Sequence, residues 1–407
     1  MKRFFSVLLA LVLMTMVFLP AGASLGDGTT APAMQFRQDG SFKILHLTDL
    51  HKRHSNDYND IHTVLLNRLA QTQDVDLAIL TGDIAMDGPL HEVLENIDDI
   101  MTAFADCGIP VAVTFGNHDS EKGIISREDL MAVYNSYPNS ISIDDGDLLP
   151  GCGTYNIPIL SSKTQETAFN LWVIDSGDYD EEGHYGYVQP EQIDWYVNKS
   201  NALKAQNGGQ LVPSMVFQHI IVPEIYDALI EKPFWVPTSV KRIYYDGRYY
   251  VLNPANTKAG RMDEYPCPPY YNSGQFEAIV RQGDVLAMFF GHDHSNTFVV
   301  EHRGVDLVAS PKCDFVGTYG KDYGARLIEI NEADTSTYST ELIRFASLFT
   351  FADLNPVKLA ADGVSLDSLE FKARLLVPFF ALFHKLDYFF TTTVGEIVTG
   401  VKIDYSK

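Results

Sequence analysis

The chain has 407 residues and a formal net charge of −23. It can bury a large core, and a general nucleic-acid-binding surface is not expected, because so acidic a surface repels a polyanion. Hydrophobic residues at 46% and aromatic residues at 12% are globular values that exclude wholesale disorder, collagen and a coiled coil, and four cysteines are too few for a disulfide framework.

Lys2 and Arg3 precede an apolar run over residues 4–19, followed by Ala21-Gly22-Ala23. That order predicts a signal peptide over residues 1–23 and a secreted or extracytoplasmic protein. The alternative is an uncleaved N-terminal membrane anchor, for which the run is short of the about 20 apolar residues a span needs. Residues 24–40, rich in Gly, Ala, Thr and Pro, read as an exposed leader.

Strands are predicted at 42–48 (FKILHLT), 77–81 (LAILT) and 111–115 (VAVTF), with helices at 60–73 and 90–106 between them. This βαβαβ opening implies an α/β fold. Further strands are expected at 170–175, 214–218 and 285–290, and a hairpin pairs 297–301 with 305–309 across Arg303-Gly304. The Tyr- and Pro-rich stretch 223–271 reads as a large loop insertion over a site. Near the C-terminus, residues 375–390 (LLVPFFALFHKLDYFF) predict an amphipathic helix, since His384, Lys385 and Asp387 interrupt the apolar run. It packs on the catalytic body or, alternatively, makes a peripheral membrane or partner contact through residues 371–390. The chain divides into the signal peptide, a catalytic unit at 24–345 and a helical extension at 346–407.

Almost every predicted strand ends in a metal-capable residue. The first runs into Asp49 and His51, the second into Gly82-Asp83, and the third into Gly116-Asn117-His118-Asp119. The strand at 214–218 runs into His219, and the one at 285–290 into Gly291-His292-Asp293-His294. Each fragment alone is common as a turn with a surface side chain. Five in order, each where an α/β sheet places its ligands, bring Asp, His and Asn together as a metal centre.

These blocks resemble the calcineurin-like metallophosphoesterases, whose pattern is Asp-x-His, Gly-Asp, Gly-Asn-His-Asp/Glu, His and Gly-His-x-His. The resemblance implies a four-layer α/β/β/α sandwich of two mixed sheets flanked by helices. It also implies that Asp49, His51 and His294 hold one metal, that Asn117, His219 and His292 hold the other, and that Asp83 bridges them. A finer likeness, carried by Phe217-Gln218-His219-Ile220, Asp175-Ser176-Gly177-Asp178-Tyr179 and Asn272-Ser273-Gly274, points to the Dcr-type and purple-acid-phosphatase-like branch. Met86 stands where purple acid phosphatases carry a tyrosine ligand, so a purple Fe(III) centre is not expected.

Two divalent ions on a shared carboxylate form a clamp for in-line displacement at phosphorus, with a bridging hydroxide as nucleophile. The donor set suits Mn, Zn or Fe. The expected activity is phosphate-ester hydrolysis, first of all of monoesters, with a phosphodiesterase or nucleotide hydrolase as the alternative on the same site. A surface-associated binding protein with a vestigial site is the alternative of another class. The resemblance makes His118 the group that stabilises the transferring phosphoryl and protonates the leaving oxygen. Asp119 is expected either to orient the His118 imidazole or to cap a helix. His184, on a Gly-rich loop, is a candidate substrate contact. His46 reads as a core or supporting residue, whereas His54, His62 and His91 read as solvent-facing. Cys107 is expected to be buried, and a disulfide between two of Cys152, Cys267 and Cys313 is open.

Overall fold

The computed structural model describes residues 28–52, 59–85, 88–143, 148–243, 245–314 and 323–348. The predicted signal peptide, the C-terminal helix, His54 and Met86 lie outside the described residues. Among the described residues no helix is long and apolar enough to cross a membrane.

In chain order the elements are β1 (Met34–Gln35), β2 (Ser41–Leu47), α1 (Asn59–Thr72), β3 (Leu77–Thr81), α2 (Leu90–Ala105), β4 (Val111–Thr114) and α3 (Arg127–Asn135). They continue with β5 (Tyr155–Leu160), β6 (Thr167–Val173), α4 (Pro190–Gln206), β7 (Ser214–Phe217), α5 (Ile225–Ala228), β8 (Leu229–Glu231), β9 (Val240–Lys241), β10 (Tyr249–Leu252) and β11 (Thr257–Ala259). The last are α6 (Gln275–Gln282), β12 (Val285–Phe290), β13 (Val299–His302), β14 (Val305–Ala309), β15 (Gly324–Asn331), β16 (Asp334–Arg344) and α7 (Phe345–Leu348).

Two mixed sheets carry the fold: five strands in the order β16-β15-β2-β3-β4, and eight in the order β1-β5-β6-β7-β12-β14-β13-β11. Period-2 alternation explains why they face each other. In β2, Phe42 and Ile44 point to the other sheet while Leu45 and Leu47 point to the helices, and β12 divides in the same way, with Ala287 and Phe289 inside and Met288 and Phe290 outside. The inter-sheet layer joins these to Tyr155, Phe169, Phe217 and Ile328. Leu66, Ile97, Phe104 and Met131 from α1, α2 and α3 cover the outer face of the smaller sheet. Tyr196, Leu203, Ile225, Phe276 and Ile279 from α4, α5 and α6 cover that of the larger. The architecture is the four-layer α/β/β/α sandwich.

The first three predicted strands and the two helices between them fall within two residues of their expected ends. The stretch at 223–271 differs from its reading as a loop. It folds α5, a small antiparallel sheet in the order β8-β10-β9, and β11, which extends the edge of the large sheet. The expected hairpin is present, turning at Arg303 and Gly304, both left-handed with φ of 53° and 86°. His62 is buried, its Nε2 2.8 Å from the Cys313 carbonyl oxygen, and is not solvent-facing. Cys107 is exposed rather than buried, because it follows the last turn of α2, and all four cysteines are free thiols.

Candidate metal centre

The predicted ligands come from both sheets. Asp49, His51, Asp83 and Asn117 follow β2, β3 and β4, whereas His219, His292 and His294 follow β7 and β12. They converge because both sheets direct these strand ends to one edge of the sandwich, so the centre sits on the seam between sheets.

The ladder between β2 and β3 continues into the two motif loops: the Asp49 amide donates to the Gly82 carbonyl (3.1 Å), His51 to Asp83 (2.9 Å) and Lys52 to Ile84 (3.0 Å). Side chains stitch the second sheet to the first. The His292 amide donates to Asp49 Oδ2 (2.9 Å), and His219 Nδ1 lies 2.8 Å from the Thr81 carbonyl oxygen. Two glycines make the approach feasible. A Cβ on Gly116 would lie 2.3 Å from Asp83 Oδ1, and one on Gly291 would lie 1.8 Å from Thr48 Oγ1. The turns are tight enough that Asp49, His51, Asp83 and His292 adopt positive φ, at 51°, 43°, 51° and 69°.

Donor atoms of Asp49, His51, Asp83 and His294 lie within 4.8 Å of one another. His294 Nε2 is 3.3 Å from Asp49 Oδ1 and 3.0 Å from His51 Nε2, and His219 Nε2 is 3.3 Å from Asp83 Oδ2. Asp83 Oδ1 accepts from the His118 amide at 2.8 Å. Five buried atoms on these residues have no hydrogen-bond partner: Asp49 Oδ1, Asp83 Oδ2, Asn117 Oδ1, His219 Nε2 and His292 Nε2. Such atoms are costly when isolated. Here they are carboxylate, amide-oxygen and imidazole atoms on residues that the strand ends gather at one edge of the sandwich, and such a donor set fits bound cations. The electrostatics agree. Burial pushes His219 down, but the Asp83 and Asp49 carboxylates outweigh it and lift the imidazole to about 10. The cluster therefore demands positive charge.

One expectation is corrected. Asp119 neither orients the His118 ring nor caps a helix; its Oδ2 accepts the amides of Asp83 (2.8 Å) and Gly116 (2.7 Å), and its Oδ1 accepts that of Ile84 (2.9 Å). The carboxylate points back under the motif loops, and the partner of His118 Nδ1 is Glu121 Oε2, at 2.7 Å. His184 pairs within its own loop, with Nδ1 3.2 Å from Asp180 Oδ2, and its ring packs edge-on against Tyr270.

Sequence reasoning missed Tyr179, whose hydroxyl accepts from Asn117 Nδ2 (2.8 Å), and Tyr185, whose ring packs on His292 at 4.3 Å between centroids. It also missed Arg127, which donates to both Asp175 oxygens at 2.8 Å and to the Gly116 carbonyl at 2.6 Å, bracing the loop before Asn117. With its Nδ2 engaged by Tyr179, Asn117 keeps its buried Oδ1 without a hydrogen-bond partner.

A family model described as calcineurin-like phosphoesterase matches residues 42–296. The chain belongs to this family of metal-dependent phosphoester hydrolases. It is 27% identical over 334 residues to "Probable inactive purple acid phosphatase 14" of Arabidopsis thaliana, covering 74% of this chain and 77% of the relative. It is 26% identical over 295 residues to "Phosphatase DCR2" of Saccharomyces cerevisiae, covering 66% of this chain and 47% of the relative. The expected branch is thus found among its relatives. Among solved structures, a dimetal phosphatase from Danio rerio aligns over 75% of this chain and 99% of its own, with 12% identity and a TM-score of 0.45.

Proposed function

We propose that the protein is a secreted dinuclear-metal phosphohydrolase acting first of all on phosphate monoesters. The packing of donor atoms of Asp49, His51, Asp83 and His294 within 4.8 Å of one another, with five buried, unpartnered atoms on the motif residues, supports this reading. Asp49, His51 and His294 would hold one ion and Asn117, His219 and His292 the other, with Asp83 between them. Mn, Zn or Fe suits the donors. When bound, the ions supply Lewis acidity and an activated water for in-line attack at phosphorus. His219 Nδ1 donates to Thr81, which fixes the tautomer that leaves Nε2 free to ligate. Asp119 and Arg127 hold the loops that place Asp83 and Asn117. His118, held by Glu121, stands at the edge of the cluster, its ring 5.9 Å from that of His51, where it can pass a proton to the leaving ester oxygen.

Residues 1–23 support an extracytoplasmic location, and the acidic surface favours a small phosphate ester over nucleic acid. A contact of residues 371–390 with a membrane or partner belongs to the same proposal, and co-sedimentation with liposomes, with and without residues 371–407, tests it. A phosphodiesterase or nucleotide hydrolase would use the same centre. The name "probable inactive" carried by the Arabidopsis relative favours a second reading, a binding protein with a vestigial site. Against it stand all seven side chains of the motif set, present in this chain.

Rates of the Mn- or Zn-loaded protein on an aryl phosphate monoester and on the matching diester test the proposal. Monoester hydrolysis that Asp83→Ala or His292→Ala abolishes is expected. No bound transition ion in the native protein, with no activity on adding one, would overturn it.

A further inference from the structure

The loop between β6 and α4 is a rigid arm. Asp180 accepts the amides of Glu182 and His184, the Gly186 amide donates to the Asp178 carbonyl (2.8 Å), and Tyr179 and Tyr185 form an antiparallel bridge. Gly186 passes so close to Gly177 that a Cβ on it would lie 2.9 Å from the Gly177 carbonyl carbon, so the base of the arm is pinched shut. The arm presents two aromatic rings stacked at 6.0 Å and 28°, both half-buried. One packs edge-on against His292, and the other places its hydroxyl on Asn117. The same Tyr179 hydroxyl lies 3.4 Å from Glu121 Oε1, whose other oxygen holds His118. Tyr179 therefore stands next to the group placed to protonate the leaving oxygen.

We infer that Tyr179 and Tyr185 form a leaving-group subsite that selects phosphate esters of planar, aromatic alcohols. The inference rests on the proposed hydrolase reading. An ester oxygen within reach of His118 carries its organic group past Glu121 and onto the Tyr179 ring. A planar group there gains offset stacking over the tyrosine pair; a short aliphatic one leaves that surface wet. The arm needs little rearrangement to receive it, since its own hydrogen bonds fix the backbone while Asn117 and Glu121 hold the Tyr179 hydroxyl and His292 packs against Tyr185.

The test compares ligands whose leaving groups have similar basicity, so that intrinsic reactivity does not imitate recognition. The Mn-loaded full chain is assayed for kcat/KM on benzyl phosphate and glycerol phosphate, and benzylphosphonate and 2-hydroxyethylphosphonate are titrated by calorimetry. Benzyl over glycerol phosphate by roughly five- to tenfold is expected, with a similar ratio in the phosphonate affinities. Both ratios should fall toward one in Tyr179→Ala and in Tyr185→Leu and persist in Tyr179→Phe, which keeps the ring. Wild-type ratios near one, or ratios unchanged in Tyr179→Ala, overturn the subsite. Absence of turnover on both esters defeats the hydrolase reading, and the phosphonate affinities then decide the subsite alone.

Discussion

One oxygen of Asp119 accepts the backbone amides of both Asp83 and Gly116, at 2.8 and 2.7 Å, and so sets the distance between the loops that carry Asp83 and Asn117. The two donors belong to the ends of adjacent strands, β3 and β4. Asp119 thus supports the centre from beneath without facing it.

Asp119→Asn places an amide group against three N–H donors that need acceptors. The expected result is a loss of metal affinity of about 10- to 100-fold, with far-UV dichroism retained. Metal titration of the apoprotein measures it. Unchanged affinity would reduce Asp119 to a packing residue.

Glu121→Ala separates proton delivery from metal retention. Glu121 is partly exposed and touches His118 Nδ1, so the fold and bound metal should be unaffected while kcat falls by roughly ten- to a hundredfold. If metal content falls with kcat, the carboxylate supports the centre rather than the imidazole.

Gly116→Ala introduces a methyl group 2.3 Å from Asp83 Oδ1 and 2.8 Å from His219 Nε2. Neither neighbour can retreat without leaving the cluster. Metal content by emission spectrometry should drop below stoichiometry, and stability should fall by about 1–3 kcal/mol. Full occupancy in this variant would show the loops to be more compliant than their hydrogen bonds indicate.

Acid should weaken the fold through two buried histidines away from the ligand set. Burial, reinforced by the charge of Arg326, pushes His46 down to about 3; burial, reinforced by Lys52, does the same to His62. Both stay neutral in the native state. The unfolded chain therefore binds more protons between about pH 3 and pH 6.5, and stability falls as pH drops below about 6.5, by about 1.4 kcal/mol per pH unit for each. Urea unfolding at pH 7 and 5.5 reads the slope. His62→Gln, which can still donate to the Cys313 carbonyl, should reduce the slope by about 1.4 kcal/mol per pH unit; an unaltered slope would assign the acid sensitivity elsewhere.

The legible parts of the chain were those with a regular period or a fixed local spacing. The strands at 42–48, 77–81 and 285–290 alternate or run apolar and end in ligating types, so both their positions and the centre followed. The sheet inside 223–271 was hidden because its strands, of two to four residues, are too short to show a period. His62 lies on the first turn of α1, just after the polar stretch 54–60, and the partner that satisfies its buried ring is a carbonyl 251 residues away. Tyr179 and Arg127 act through partners that local sequence does not reveal. Asp119 was read through its neighbour in sequence, whereas its carboxylate serves backbone amides up to 36 residues away. A hydrogen-bonding preference identifies a residue type, not the partner that topology brings to it.

The left-handed backbone at Asp49, His51, Asp83 and His292 sets function against endurance. Each such residue outside glycine costs roughly 1–2 kcal/mol. Selection for heat resistance alone would therefore favour glycine at these four positions and erase the donors one by one. A thermostable descendant that keeps them must draw its added stability from elsewhere in the sandwich.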